Sequence, residues 1–391
     1  MHICWREIRE KQEETLSRYA ARSANSLGRL IDEEKCPVRT DFERDANRIL
    51  YSMEFRRLRH KTQVFFNAKN DHICTRMEHV LYVGSISATI ARTLNLNQDL
   101  AYAVALGHDL GHAPFGHSGE KVLDRCLKRI NSNLSFHHEL HSLRVADRIA
   151  QRVSRERIND RRGLNLTYEV RDGIVCHCGE DYEQYCFKRD ISKDLKSLDK
   201  MTQDLCIRYG DFPKTPYTLE ACIVKLVDKI AYVGRDLEDA LRVKLIDIND
   251  IRPDIRSVLG QTNGEIINTL VMDVIENSFD RDYISLSKEK GEALHELIKE
   301  NVKLIYQAEK IKRYEKTAEN VIEGLFFNLM DALKDLEKLK NSEIKVYRQF
   351  YNFIQDMNYT HKEPLEQKVV DFVAGMTDNF ALACFEEIFW M

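Results

Sequence analysis

The stretch Gly107-His108-Asp109-Leu110-Gly111-His112-Ala113-Pro114-Phe115-Gly116-His117-Ser118-Gly119-Glu120 places three histidines and two carboxylates in one short segment. Interleaved with them are four of the chain's sixteen glycines and one of its six prolines. Imidazole and carboxylate are the usual groups for holding a divalent metal and moving protons. Glycines let the backbone approach a ligand closely or turn at positive φ. Two further sets of residues can join this segment. Upstream, Arg76 and His79 stand three apart, so both project from one face of a helix's first turns. Downstream, Asp228, Tyr232 and Asp236 recur at i, i+4 and i+8 along an otherwise apolar helix. Carboxylates buried there must be paired or must bind a cation; an ion pair with an arginine would also satisfy them.

His79, His108, Asp109 and Asp228 together offer two imidazoles and two carboxylates. Such a set suits a borderline divalent ion with positions left open for water and substrate, and water on such an ion is acidic enough to act as a nucleophile near neutral pH. His112, His117, Glu120 and His138 would stand around it. Glu120, three residues beyond His117, is placed to orient that ring as the general acid for a departing alkoxide. Arg76 and Lys229 sit beside proposed ligands, and cations there suit an anionic substrate such as a phosphate ester. The chemistry expected is metal-dependent hydrolysis of a phosphorylated compound.

Other polar clusters read differently. Phe136-His137-His138-Glu139-Leu140-His141 lacks the H-E-x-x-H order of zinc proteases. Cys176-His177-Cys178, with Cys186 following, lacks the paired C-x-x-C spacing of a structural zinc site. The basic run Arg56–Lys61 reads as a solvated face.

The elements that position these residues are helical. Few prolines and glycines, with apolar residues at i, i+3 and i+4, predict an all-α chain. A helix starts at Asp41 as N-cap. Another carries His79, and a third, capped by Asn97, ends in His108-Asp109. The Gly/Pro segment breaks that helix, and Ser118 can cap the next. Lys61–Phe66 is β-branched and aromatic enough for a short extended piece. A charged connection over 154–163 precedes a helix through Tyr168–Cys176, and the polar region closing at Pro213 and Pro216 reads as peripheral. Thr218 caps the long helix bearing Asp228 and Asp236. Helical periodicity then continues through Ile266–Ile275, Leu294–Tyr306 and Val321–Leu333, for packing and oligomer contact. The domain reading is a catalytic core over about 55–245 and a helical portion over about 255–391, within a single chain of 391 residues.

Apolar residues make up 43% and charged residues 31%, which describes a globular protein with an ample core. A net charge of −4 gives no bulk positive field for nucleic acid. No run is long enough to span a bilayer and no signal peptide is visible. The ten cysteines are scattered, so reduced thiols and a cytoplasmic location are expected.

The order His79, His108-Asp109, Asp228 is that of the HD-domain phosphohydrolase superfamily. The surrounding text is more specific: Phe55-Arg56-Arg57-Leu58, Lys61-Thr62-Gln63-Val64-Phe65, Thr75-Arg76-Met77-Glu78-His79, and the segment from His108 to Glu120. It closely resembles the bacterial deoxyguanosine-triphosphate triphosphohydrolase (dNTP triphosphohydrolase) family. The resemblance runs from about Tyr19 past Asp236, and Ile284-Ser285-Leu286-Ser287 with Leu304-Ile305-Tyr306 extends it nearly to the C-terminus. It implies an HD-domain helical fold with additional C-terminal helices, and conversion of a deoxynucleoside triphosphate to deoxynucleoside plus inorganic triphosphate.

Carried over by motif, the resemblance makes His79, His108, Asp109 and Asp228 ligands of a divalent ion such as Mn, Mg, Fe or Co. His117 and Glu120 become the catalytic pair, with His112 and His138 around the α-phosphate. Arg76, Lys229 and Tyr232 fall at phosphate contacts, Gln63 reads the sugar 3′-hydroxyl, and Asp236 lines that pocket. The family commonly has F-E-H-N where this chain has Phe136-His137-His138-Glu139, so both neighbours of His138 depart from the pattern. A homo-oligomer is a further implication; base preference and an allosteric nucleotide site are not carried over, and an allosteric nucleotide and weakly bound single-stranded DNA stand only as candidate partners. The alternatives are an HD phosphohydrolase acting on another nucleotide or a DNA 3′ end, and a nucleotide-sensing or nucleic-acid-binding protein.

Overall fold

The computed structural model describes residues 4–64, 73–152, 163–179, 184–201, 213–359 and 363–390. Helix α1 (Trp5–Glu13) is followed by α2 (Asp41–Tyr51) and the short α3 (Met53–Arg57). Thr40, not Asp41, caps α2: its hydroxyl accepts the Glu43 N–H while the Glu43 carboxylate accepts the Thr40 N–H. Asp41 is thereby the first helical residue, and its carboxylate accepts from Arg6 at 3.3 and 3.2 Å. The expected extended piece at Lys61–Phe66 is described only to residue 64, where Thr62 bridges Thr75 in antiparallel fashion.

Helix α4 (Arg76–Thr93) starts from a Thr75/Glu78 capping box. Helix α5 (Gln98–Gly107) is capped by Asn97, whose side chain accepts from the Asp99 and Leu100 N–H groups. Helix α5 is the axis of the molecule. Leu100, Ala101, Ala103, Val104, Ala105 and Leu106 have no exposure, and a helix apolar all round must be enclosed by others. It is packed by α2, α4, α8 (Tyr168–Cys176) and α10 (Leu219–Arg242). Between them in the chain lie α6 (Gly116–Ile130), α7 (His138–Arg144), which runs on in a π-helical turn to Ile149, and the short α9 (Leu198–Met201). Thr218 caps α10 as expected.

The charged connection expected over 154–163 lies outside the described residues apart from Gly163. The region closing at Pro213 and Pro216 is not peripheral where it is described. Phe187, Leu195 and Leu198 are buried in the main core. Strand β1 (Cys186–Lys188) pairs antiparallel with β2 (Tyr283–Ser285), the one small sheet among the described residues.

The C-terminal portion comprises α11 (Pro253–Leu259), α12 (Asn263–Ser278), α13 (Lys288–Asn301), α14 (Glu309–Ala332), α15 (Leu336–Lys340), α16 (Lys345–Met357), α17 (Leu365–Ala374) and α18 (Asp378–Phe389). Helices α11–α13 join the core around α5. Helices α14–α18 build a second core with α6, in which Val122, Leu123 and Leu127 meet Ile322, Leu325, Phe326 and Val373. Burial of each such side chain stabilises by about 1.5–3 kcal/mol. The helix that carries His117 and Glu120 is thus anchored by C-terminal helices. Among the described residues no helix is long and apolar enough to cross a membrane.

Candidate metal and catalytic site

Helix α5 ends at Gly107, and His108-Asp109 follow at once in its C-cap. His108 Nδ1–H donates to Ala105 O at 2.6 Å. That bond fixes the tautomer and turns the Nε2 lone pair inward. His108 Nε2 lies 3.5 Å from Asp109 Oδ2 and 3.7 Å from Asp228 Oδ1, with no hydrogen-bond partner among the described residues. His79 Nε2, from the first turn of α4, is 2.9 Å from Asp228 Oδ1 on α10. The ligand atoms of His79, His108 and Asp109 all lie within 4.8 Å of one another. Atoms held about 2.1 Å from one ion stand roughly 3–3.5 Å apart, so three helices deliver a donor set of that span. Burial pushes the Asp109 and Asp228 carboxyls up, but the positive groups outweigh it. Arg76, His108 and His112 hold Asp109 well below the usual range, and His79 and His108 do the same for Asp228. Both are therefore the carboxylates a cation requires. The residues fit a divalent ion.

Beyond Asp109 the chain cannot continue as a helix. Gly111 passes so close to α7 that a Cβ would meet Ser142 N at 2.1 Å, and one on Gly119 would meet Pro114 O at 1.9 Å. Phe115, at φ +63°, is the N-cap of α6, which begins at Gly116; Ser118, the expected cap, lies inside the helix. The turn is held from far along the chain. Asp378, at the start of α18, accepts the Phe115 N–H at 2.9 Å and the Thr62 N–H at 2.8 Å. Buried Lys61 donates to His112 O and to Ala374 O at 2.8 Å; burial lowers its ammonium to about 7.

This loop and α6 place His112, His117 and Glu120 beside His138, the first residue of α7. His112 stacks on His138 with ring centroids 4.2 Å apart, and His117 meets His112 edge-on at 4.9 Å. Glu120 joins them. Its Oε2 is 3.3 Å from His117 Nδ1, while its Oε1 accepts from His138 N–H and Nδ1–H, both at 2.9 Å. Burial alone would raise Glu120, but His138 and the bond from His117 hold it well below the usual carboxylate range. Burial alone would lower His138, yet Glu120 and Glu139 raise it well above the ordinary imidazole value. His112, buried beside Arg76 and His138, is driven down. The His117 side chain is 65% exposed, so its ring opens to solvent.

The expected substrate-side residues divide. Arg76 Nη1 donates to Asp109 Oδ2 at 2.5 Å and Nη2 to Thr62 O at 3.3 Å, tying the bend before α4 to the metal cluster. Its Nε and Gln63 Oε1 are buried with no hydrogen-bond partner among the described residues. Asp236 is buried on the stripe of Asp228 and Tyr232, accepts the Tyr306 hydroxyl, and is raised by burial to about 7. Lys229 donates to Gln184 O at 3.1 Å and lies over the Phe187 ring, on the β1 side of α10.

Sequence reasoning missed three residues. Tyr306, read only as part of the resemblance at Leu304-Ile305-Tyr306, and Asp378 arrive from the C-terminal portion, and no local pattern gave either a place in the site. His177, at the end of α8, is buried 5.0 Å from the His108 ring and has Nε2 3.2 Å from His138 Nε2. The signal available for it was Cys176-His177-Cys178, tested only against sequence-local zinc spacing.

An HD domain model matches residues 76–233, and a phosphohydrolase-associated domain model matches residues 284–387. The chain is 40% identical to a deoxyguanosinetriphosphate triphosphohydrolase-like protein of Caldanaerobacter subterraneus subsp. tengcongensis, covering 98% of this chain and 95% of that one. It is 35% identical to a protein of the same description from Desulfatibacillum aliphaticivorans, covering 98% of each, and 34% identical to one from Clostridium tetani, covering 94% and 91%. The fold is the helical one of an HD-domain protein, and the chain belongs to the deoxyguanosinetriphosphate triphosphohydrolase-like family.

Proposed function

We propose that this protein hydrolyses deoxynucleoside triphosphates, dGTP among them, to deoxynucleoside and inorganic triphosphate. The reaction uses a divalent ion (Mn, Mg, Fe or Co) held by His79, His108, Asp109 and Asp228. The observation that carries the reading is the orphaned His108 Nε2 facing two carboxylates, with a His117–Glu120 pair on the next helix. When bound, the ion supplies Lewis acidity, acidifying water and polarising a phosphoryl oxygen.

The side chains do the rest. Water adds to the α-phosphorus and loses its proton to solvent, the bond from phosphorus to the 5′-oxygen breaks, and that oxygen takes a proton from His117, which solvent returns to the exposed ring. With Nδ1 turned to Glu120, His117 Nε2 is the proton donor. His112 and His138 lie against the α-phosphate, His138 bringing the positive charge that Glu120 and Glu139 maintain on it. Arg76, Lys229 and Tyr232 hold the triphosphate, Arg76 through the edge of its guanidinium that Asp109 leaves open. Gln63 Oε1 accepts the sugar 3′-hydroxyl, and Asp236 closes the same pocket.

Product analysis tests this. Metal-stripped protein reloaded with Mn, Mg or Co is incubated with each of the four dNTPs and with GTP, and the products are separated by anion exchange. Deoxynucleoside plus intact triphosphate is expected. Release of monophosphate and pyrophosphate would overturn the reading, as would no turnover with any metal for single or mixed dNTPs.

A further inference from the structure

His138, His177 and Cys178 form a second candidate donor set, with ligand atoms within 4.8 Å of one another. Both imidazoles have committed their Nδ1–H groups: His138 to Glu120 Oε1 at 2.9 Å and His177 to Ile174 O at 2.7 Å. The two Nε2 atoms therefore face each other across 3.2 Å, where the charged His138 ring donates its Nε2–H to the His177 lone pair, with Cys178 Sγ 3.8 Å from His138 Nε2. A divalent ion entering between them takes the place of that proton. A tetrahedral ion with about 2.05 Å bonds to nitrogen and 2.3 Å to sulfur spaces N···N by roughly 3.3 Å and N···S by roughly 3.6 Å. The observed edges differ from these by only a few tenths of an ångström. The outer partners of both rings, a carboxylate and a carbonyl, are also those that orient histidine ligands of zinc.

We propose that His138, His177 and Cys178 bind a thiophilic divalent ion such as zinc, cobalt or cadmium, and that its binding there inhibits the enzyme. A thiolate with two imidazoles selects softer ions than the two-carboxylate site of His79, His108, Asp109 and Asp228. The two sites therefore sort metals by chemistry. The Sγ proton and the His138 Nε2 proton leave to solvent as the ion enters, and a fourth position stays open to water. The inhibitory part rests on the reading above that His138 works at the α-phosphate. An ion on its Nε2 withdraws that nitrogen from substrate and immobilises the Glu120 that orients His117.

The test is a cobalt titration of metal-stripped full-length protein, followed by thiolate-to-cobalt charge-transfer absorption in the near ultraviolet. Wild type and His79→Ala should both develop the band, and Cys178→Ser should lose it. A band of full amplitude in Cys178→Ser, or none in wild type, would overturn the site. In parallel, zinc is added to manganese-supported dNTP turnover. Where zinc reduces wild-type turnover tenfold, Cys178→Ser should lose less than twofold; equal inhibition of the two would overturn the inhibitory role. Were the protein to turn over no dNTP at all, the absorption titration would still decide whether the site exists.

Discussion

Two buried clusters of histidine, aspartate and arginine sit on adjoining parts of this molecule, and they are built to opposite ends. In one, Arg144 from α7 grips Asp371 from α17 with Nε at 2.8 Å and Nη2 at 2.7 Å. Gln367 and the Tyr359 hydroxyl donate to the same carboxylate at 2.7 and 2.9 Å, and His141 Nε2 stands 3.5 Å away. Every lone pair of Asp371 is engaged, and the cluster fastens the C-terminal helices to the core. In the other, His79, His108, Asp109, Asp228 and Arg76 have the same residue types, yet His108 Nε2, His112 Nδ1 and Arg76 Nε are left without partners. A buried polar atom without a partner costs about 1–3 kcal/mol. A fold that satisfies the Asp371 carboxylate completely, leaving only His141 Nε2 beside it without a bond, while three unpartnered atoms converge in the neighbouring cluster, marks that neighbour as a place for something to bind. The composition of a buried charge cluster does not distinguish structure from site; its unsatisfied atoms do.

Substitutions sharpen that contrast. The largest effect is expected from Asp228→Asn. The amide still pairs with His79, so the metal-free protein should melt near the wild-type temperature, while kcat for dGTP falls about a thousandfold. Calorimetry with and without manganese, beside steady-state rates, reads both; loss of fold with retained activity would reverse the assignment. Asp371→Ala should do the opposite. It takes from buried Arg144 its two-pronged partner and leaves it the contact to Glu363 at 3.1 Å, at a cost of about 3–5 kcal/mol in denaturant unfolding, while whatever protein stays folded keeps its manganese-induced stabilisation. His117→Ala should lower kcat by roughly 10²–10³-fold with that stabilisation intact, since the ring is exposed and is the proposed proton donor, not a proposed ligand.

Asp236→Asn gives the smallest and most pH-dependent effect. Burial raises the folded carboxyl to about 7 from an ordinary value of 3.8. Between those values the folded state binds more protons than the unfolded one, so stability falls as pH rises and the penalty is complete above pH 7. The amide has no charge to bury. The variant should gain on the order of 2 kcal/mol over wild type at pH 8, and that gain should vanish toward pH 4. It should also raise KM for dNTP. A gain independent of pH would show that the carboxylate is not the strained group.

Much of this was legible in the sequence, because much of it is local. The residue order His79, His108-Asp109, Asp228 needs only three helices meeting. Asn97 and Thr218 are true caps, and α8 falls on Tyr168–Cys176 as the periodicity requires. The failures are of two kinds. Some are local choices between equally good capping residues: Thr40 displaces Asp41 because Glu43 stands three residues on to complete the box. Phe115 displaces Ser118 because the turn at Phe115-Gly116 needs positive φ at both residues. Others are long-range. Asp378 clamps Phe115 across 263 residues, Tyr306 reaches Asp236, and β1 finds β2 with only three residues on each side. No local periodicity encodes such contacts. Cys178 and His177 belong here too: their third partner, His138, lies on another helix.

The most direct test of the central claim is a turnover of dGTP in oxygen-18 water with manganese-loaded protein, followed by mass analysis of both products. Attack at the α-phosphorus with breakage of the bond to the 5′-oxygen puts one heavy oxygen in inorganic triphosphate and none in deoxyguanosine. Label in deoxyguanosine, or in a monophosphate released with pyrophosphate, would contradict the account.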